Sequence, residues 1–182
     1  MSILLRIKAW KLVLLTYFAP FIAAGILVEL AESMGNKNLG FVFVPFIILT
    51  LLIFQIVWSW TVGFITQELS PENLRLNMTM FNFGIKYVFI YTFVFFIGSF
   101  IENSVLISVI FILHIIAILF FIYIIYFVTK SVLISEKQRK VGFFEVATLL
   151  VCILVSPLWL FIVQTKVNKI VKNLTSIMKA LQ

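Results

Sequence analysis

The stretch VLISVIFILHIIAILFFIYIIYFVT, residues 105–129, decides the class of this protein. Its 25 residues include no Lys, Arg, Asp or Glu. A helix needs about 20 mostly apolar residues to cross the hydrocarbon core of a bilayer, because each residue adds about 1.5 Å to its length. This run is therefore long and apolar enough to span a membrane.

Four further apolar runs surround this stretch, at residues 12–30, 41–66, 85–101 and 143–164. The 182-residue chain is 63% hydrophobic and 12% charged, with a mean hydropathy of +1.19. Soluble domains are about 45–50% apolar and about 25% charged, so this chain has too little polar surface to coat a soluble core. The sequence predicts an all-α, polytopic helical membrane bundle.

Composition excludes several other classes of protein. The single cysteine, Cys152, rules out a disulfide scaffold, and continuous rather than alternating apolar runs rule out a β-barrel porin. The charge balance is 14 Lys and Arg against 7 Glu, and contact with anionic lipid explains it without nucleic acid. The sequence carries no catalytic motif and no metal-ligand spacing, so we expect neither an enzyme nor a bound cofactor.

Basic residues predict the topology. A cytoplasmic N-terminus places three basic segments inside: the N-terminal lead-in, the loop around Arg75 and a loop over residues 130–141. Residues 31–40 and 102–104 then lie outside. Pro20, in the middle of the first run, predicts a kink there.

The fifth run leaves two alternatives. The lysines that follow it would lie outside the cell after five complete crossings, which breaks the positive-inside pattern. Either this run spans fully, or it is kinked or re-entrant at Pro157 and returns to the cytoplasmic side. We favour four full transmembrane helices plus an incomplete fifth segment.

Polar residues inside the apolar runs form two stripes. In the second run, the stripe holds Gln55, Ser59, Gly63 and Thr66, which fall on one helix face at about 100° per residue. In the fifth run, it holds Glu145, Thr148, Cys152 and Ser156. Each stripe is explained either by helix packing or by the lining of a pore. Glu145 is also close enough in sequence to pair with Arg139 or Lys140.

His114 lies near the centre of the fourth run, where an ionisable side chain is a functional candidate. It could gate by protonation, or it could remain neutral and hydrogen-bond to a neighbouring helix. Tryptophan and tyrosine residues near the ends of the runs are typical of aromatic anchors at the membrane interface, namely Trp10, Trp58, Trp60, Tyr87 and Trp159.

The end of the chain has a heptad pattern. Val167, Leu174 and Leu181 recur every seven residues, and lysines occupy the opposite face. The pattern predicts a basic amphipathic helix over residues 165–182, separate from a membrane domain over residues 1–164. This helix could lie on an anionic membrane surface or support self-association.

Three groups of motifs resemble small polytopic membrane proteins that are common in Bacteroidota. They are the run LLRIKAWKL at residues 4–12 with Pro20; LHI at residues 113–115 with YFVTKS at residues 126–131; and SPLWLFIVQ at residues 156–164 with VNKI at residues 167–170. Those relatives often have a proline directly after the glutamine, where Thr165 stands here. The resemblance touches about half of the chain, implies a bacterial membrane protein and brings no assigned function.

Two classes of function stay open on the sequence. The first is a homo-oligomeric channel or pore in the bacterial cytoplasmic membrane, such as the membrane effector of a defence system, and the polar stripes, His114 and the heptad tail favour it. The second is a non-catalytic accessory or scaffold subunit of a larger membrane complex. In both, the partners are the lipid bilayer and either further copies of this chain or other membrane subunits, with no nucleic acid.

Overall fold

The computed structural model describes residues 7–33, 39–98, 104–151 and 156–180, with side chains omitted at residues 31, 32, 39–46, 104–106, 151, 156, 174 and 177–180. The described residues form six helices and contain no strand. Helix α1 consists of Ala9–Val13, a π-helical turn Leu14–Phe18 and Ala19–Ser33. The others are α2 (Leu39–Glu68), α3 (Met78–Gly98), α4 (Ser104–Lys137), α5 (Phe143–Val151) and α6 (Ser156–Ala180).

Four of these helices are long and apolar enough to cross a membrane. The candidate spans are Ala9–Leu30, Ile47–Glu68, Met78–Gly98 and Ile107–Lys137. The predicted all-helical class is therefore confirmed, and the first four predicted spans lie in helices that could cross a membrane by length and composition. The third helix begins at Met78, before the predicted start at residue 85, because the polar Thr79 and Asn82 lower the hydropathy of its first turns without interrupting the helix.

Helix α1 passes through Pro20 by changing its hydrogen-bond pattern one turn earlier. Proline has no N–H to give to the carbonyl four residues before it, which here belongs to Thr16. The π-helical turn Leu14–Phe18 lies at this point, and the Thr16 hydroxyl donates to the carbonyl of Leu12 at 2.7 Å. The disturbance that the sequence predicts at Pro20 therefore takes the form of a π-helical turn.

Helix α2 lies at the centre of the bundle and contacts α1, α3 and α4, while α3 and α4 form an antiparallel pair. A 3₁₀ turn, Glu72–Leu74, connects α2 to α3. Arg75 closes the end of α2 by donating to the carbonyls of Glu68 and Ser70, both at 3.3 Å. The core combines aromatic and branched aliphatic side chains from α2, α3, α4 and α6.

The predicted loop over residues 130–141 is wrong over its first eight residues, because α4 continues to Lys137. Gln138 then ends the helix with φ of 51°, a left-handed conformation. Its side chain donates to the carbonyl of Ser135 at 2.6 Å, which satisfies one of the free carbonyls at the end of the helix. Helix α4 is thus a long element that carries its basic end beyond the apolar stretch.

Within the fifth apolar run, the structure describes α5 and the first nine residues of α6. Helix α5 contacts α4, and α6 contacts both α4 and the first residues of α1. Helix α6 runs without a break through residues 164 and 165, where the sequence predicts a boundary between two domains. The docking surface of α6 consists of buried side chains on one face, Trp159, Leu160, Val163, Gln164, Val167 and Ile170.

Candidate functional site

The polar stripe of α2 faces other helices of the same chain. Gln55, Ser59 and Thr66 are 8%, 1% and 2% exposed. In the folded chain, this stripe therefore packs against neighbouring helices, as the first of the two explanations predicts. The pore-lining role proposed for the four residues stays a prediction.

Gly63 has a steric reason for its place in the stripe. A Cβ atom added there would lie 2.6 Å from Cζ of Phe81, which is fully buried on α3. Phe81 in turn stacks on Phe127 of α4, with ring centroids 4.2 Å apart. The absent side chain thus leaves room for an aromatic pair that joins α2, α3 and α4.

Thr66 takes part in a buried hydrogen-bond network at the end of α2. Its hydroxyl lies 2.6 Å from the hydroxyl of Ser131 on α4, which also accepts a 2.8 Å hydrogen bond from the Gln67 side chain. The carbonyl oxygen of the Gln67 side chain accepts from the backbone N–H of Leu76 at 2.6 Å. The network fastens α2 to α4 and to the connection before α3.

A second buried polar network joins α6 to the rest of the bundle. The Trp58 indole donates to the Gln164 side-chain oxygen at 2.9 Å, and the Gln164 amide donates to the carbonyl of Ile7 and to Asn168, both at 3.1 Å. The Trp159 indole donates to the Thr129 hydroxyl at 3.0 Å. Gln164 therefore joins α6 to α2 and to the residues just before α1.

The interpretation of Trp58 and Trp159 as interfacial anchors is wrong. They are 0% and 1% exposed, and their rings meet edge to face with centroids 5.5 Å apart. Their indole N–H groups have partners inside the protein, so they need no interfacial water. Trp58 lies one turn from Gln55 on the stripe side of α2, and this spacing was the signal that could have identified it as buried. Trp10 and Trp60 remain about half exposed.

His114 has its partner on α3. Its Nδ1 atom lies 2.7 Å from the Tyr91 hydroxyl, and its ring stacks on Phe95 with centroids 5.6 Å apart. This contact matches the alternative of a hydrogen bond to a neighbouring helix. A gating role for His114 stays a prediction.

Glu145 lies at the start of α5 in an ion-pair cluster. Lys137 and Arg139 both bind its carboxylate, with Arg139 at 3.0 and 3.2 Å. Hydrogen bonds from Lys137 and then Arg139 lower the pKa of Glu145 from 4.5 to about 2. The cluster thus ties the end of α4 to the start of α5 above pH about 4.5, and this contribution fades as the pH falls toward 2.

The rest of the second stripe is only partly described. Thr148 is exposed, and its hydroxyl donates to the carbonyl of Phe144 at 2.9 Å. Cys152 lies outside the described residues, and Ser156 is described only as the first residue of α6. The structure therefore brings Glu145 and Thr148 onto one short helix.

The heptad tail begins inside the bundle. Val167 is 2% exposed and belongs to the core, while the side chain of Leu174 and all of Leu181 lie outside the described part. Lys166 and Lys169 bind Glu136 of α4, at 2.6 and 3.4 Å. The first of the three heptad positions therefore packs within the chain, and self-association through the tail stays a prediction.

The described residues contain no group of three His, Cys, Asp or Glu side chains that could hold a metal ion. Comparison of the chain with protein-family models, with curated proteins and with solved structures finds no match. The functional proposal therefore depends on the geometry of the helices and their contacts.

Proposed function

We propose that this protein is a non-catalytic accessory or scaffold subunit of a larger membrane complex in the bacterial cytoplasmic membrane. The main support for the proposal is that the polar stripe of α2 is buried inside the folded chain. Gln55, Ser59 and Thr66 are all at least nine-tenths buried, so they are not free to line a water-filled path in this conformation. The polar stripe is thus buried between helices of the chain, whereas the outer surface of the bundle is available to lipid or to apolar helices of a partner.

The outer faces of the spans support this function. Large apolar side chains on α1, α3 and α4 are exposed, among them Phe18, Phe21, Ile22, Ile90, Ile97, Phe111, Ile112 and Leu119. A pore needs polar groups or rings of charge that face its axis. Apolar outer faces instead suit lipid chains and the helices of membrane partners, which associate by close packing.

The proposed topology has four full spans and a re-entrant fifth segment, with the N-terminus in the cytoplasm. Three contacts support it: Gln164 with Ile7, Lys166 with Glu136, and Glu145 with Arg139. The start of α5 and the middle of α6 are thereby held near the end of α4 and the start of α1, at one end of the bundle.

Ion flux tests the proposed function. Purified protein reconstituted into liposomes loaded with a K⁺-sensitive or Cl⁻-sensitive dye is expected to give no more flux than protein-free liposomes, and to run as a monomer in nanodiscs. An ionophore added at the end serves as the control for intact liposomes. Flux that rises with the amount of protein, together with a closed ring of subunits, would contradict the scaffold and support the homo-oligomeric channel.

A further inference from the structure

A groove of about 550 Å³ lies between α2 and α3. This volume is within the range of about 300–1,000 Å³ that is typical of small-molecule sites. Its wall is mostly apolar and aromatic, with two polar side chains on α3, and its lining includes Val57, Trp60, Phe64, Asn82, Lys86 and Phe89. Val57, Trp60, Phe64 and Phe89 are each 39–51% exposed, so the groove opens at the outer surface of the bundle.

Lys86 is an unusual residue for this position. It is an exposed cation inside the candidate span Met78–Gly98, eight residues after its start, and no salt bridge among the described residues involves it. A charged side chain inside a span is costly unless a partner or the interface receives its charge. The long apolar stem of lysine lets the ammonium group reach toward the membrane interface.

The two sides of the groove lie at similar depth. Trp60 is eight residues before the end of α2 at Glu68, and Lys86 is eight residues after the start of α3 at Met78, so each is about 12 Å from the linked ends of these helices. Asn82 lies one helical turn from Lys86 toward that same end and on the same face. Val57 and Phe89 each lie eleven residues from the linked ends, about 16 Å, so the apolar wall of the groove continues deeper into the bilayer than Lys86.

We infer that this groove binds an anionic phospholipid of the adjoining leaflet. The lipid phosphate accepts from the Lys86 ammonium and the Asn82 amide, and an acyl chain lies along Trp60, Val57 and Phe89. Charge complementarity favours lipid over a second copy of this chain. The carboxylates of the candidate spans, Glu29, Glu68 and Glu136, all lie in the last two residues of their spans and not at the depth of Lys86.

Quenching by brominated lipids tests this inference on the full chain. In a Trp10→Phe background, Trp60 is the one lipid-facing tryptophan, because Trp58 and Trp159 are buried. Vesicles containing brominated phosphatidylglycerol are expected to quench Trp60 more strongly than vesicles containing brominated phosphatidylcholine. Competition between the two should give about a fivefold preference for phosphatidylglycerol, the effect expected of one basic side chain near the surface.

Two variants locate the preference at Lys86. Lys86→Met keeps an unbranched apolar side chain without the charge and should reduce the preference for phosphatidylglycerol to about onefold, which means equal binding of the two lipids. Lys86→Arg keeps the charge and should retain the fivefold preference. Lys172→Met removes the same charge from an exposed position on α6 and should leave the fivefold preference unchanged. Size-exclusion profiles and helix content check that each variant is folded.

Two results would overturn the inference. Equal quenching by both lipids, or an unchanged preference in Lys86→Met, would mean that Lys86 does not select the headgroup. Protection of Trp60 from both lipids would mean that protein, such as a second copy, covers the groove.

Discussion

A cysteine placed at Lys172 should react with a membrane-impermeant maleimide only after spheroplasts are permeabilised, so that the reagent reaches the cytoplasmic side of the membrane. The substitution uses a Cys152→Ala background, and residue 172 is exposed on α6. The reason is that α6 is held by Gln164 to Ile7 and by Lys166 to Glu136, so its basic end emerges on the side of the N-terminus. We expect labelling to change from background to near completion when spheroplasts are permeabilised.

Two reference positions make this experiment decisive. A cysteine at Lys140, exposed between α4 and α5, should behave like the one at position 172. A cysteine at Lys37, in the segment that the sequence predicts to lie outside, should react in intact spheroplasts. Reaction at position 172 in intact spheroplasts would contradict the re-entrant fifth segment and support a full fifth crossing.

Replacing Gln164 by Leu should destabilise the folded protein by about 2–3 kcal/mol. The change removes the acceptor of the Trp58 indole N–H and the donor to the carbonyl of Ile7. A buried polar group left without a partner costs about 1–3 kcal/mol in water-soluble proteins and less in membranes. Unfolding in SDS, followed by tryptophan fluorescence in mixed micelles, measures the effect.

Thr165→Val is the matched control, because this neighbouring residue is exposed and its hydroxyl donates only to its own helix, at Phe161. It should change stability by less than about 0.5 kcal/mol. A double-mutant cycle with Trp58→Phe isolates the contact between α2 and α6, with an expected coupling of about 0.5–1.5 kcal/mol. A Gln164→Leu variant as stable as Thr165→Val would contradict the docking of α6 through this side chain.

The membrane class and the first four spans could be predicted because they depend on local composition. The length of an apolar run is set by the thickness of the bilayer and does not require knowledge of neighbouring helices. The ends of the helices were harder to predict from the sequence. Helix α3 begins before its apolar run, and α4 continues beyond its own. Helix formation tolerates Asn82 and Lys130, whereas the predicted apolar runs exclude both residues.

The direction of the polar stripe could not be predicted, because one helix face suits packing and pore lining equally well. The choice between packing and pore lining depends on partners that are distant in sequence. Ser131 of α4 contacts Thr66 of the stripe, and Gln164 of α6 contacts Trp58 beside it, across 65 or more residues in each case. The prediction that Trp58 and Trp159 lie at the membrane interface is wrong for the same reason. A tryptophan near the end of an apolar run is compatible either with the membrane interface or with a buried aromatic pair. Only tertiary contacts distinguish these cases.

We claim that the polar stripe of α2 is closed inside the folded chain, and the reactivity of a cysteine at Ser59 shows whether it is. Ser59 is 1% exposed, and the substitution changes one atom. In a Cys152→Ala background in liposomes, Ser59→Cys is predicted to resist a small charged methanethiosulfonate reagent until SDS unfolds the protein, while Lys172→Cys reacts at once. Rapid reaction at position 59 in the folded protein, with a change in ion flux, would contradict the claim and support a water-filled pore.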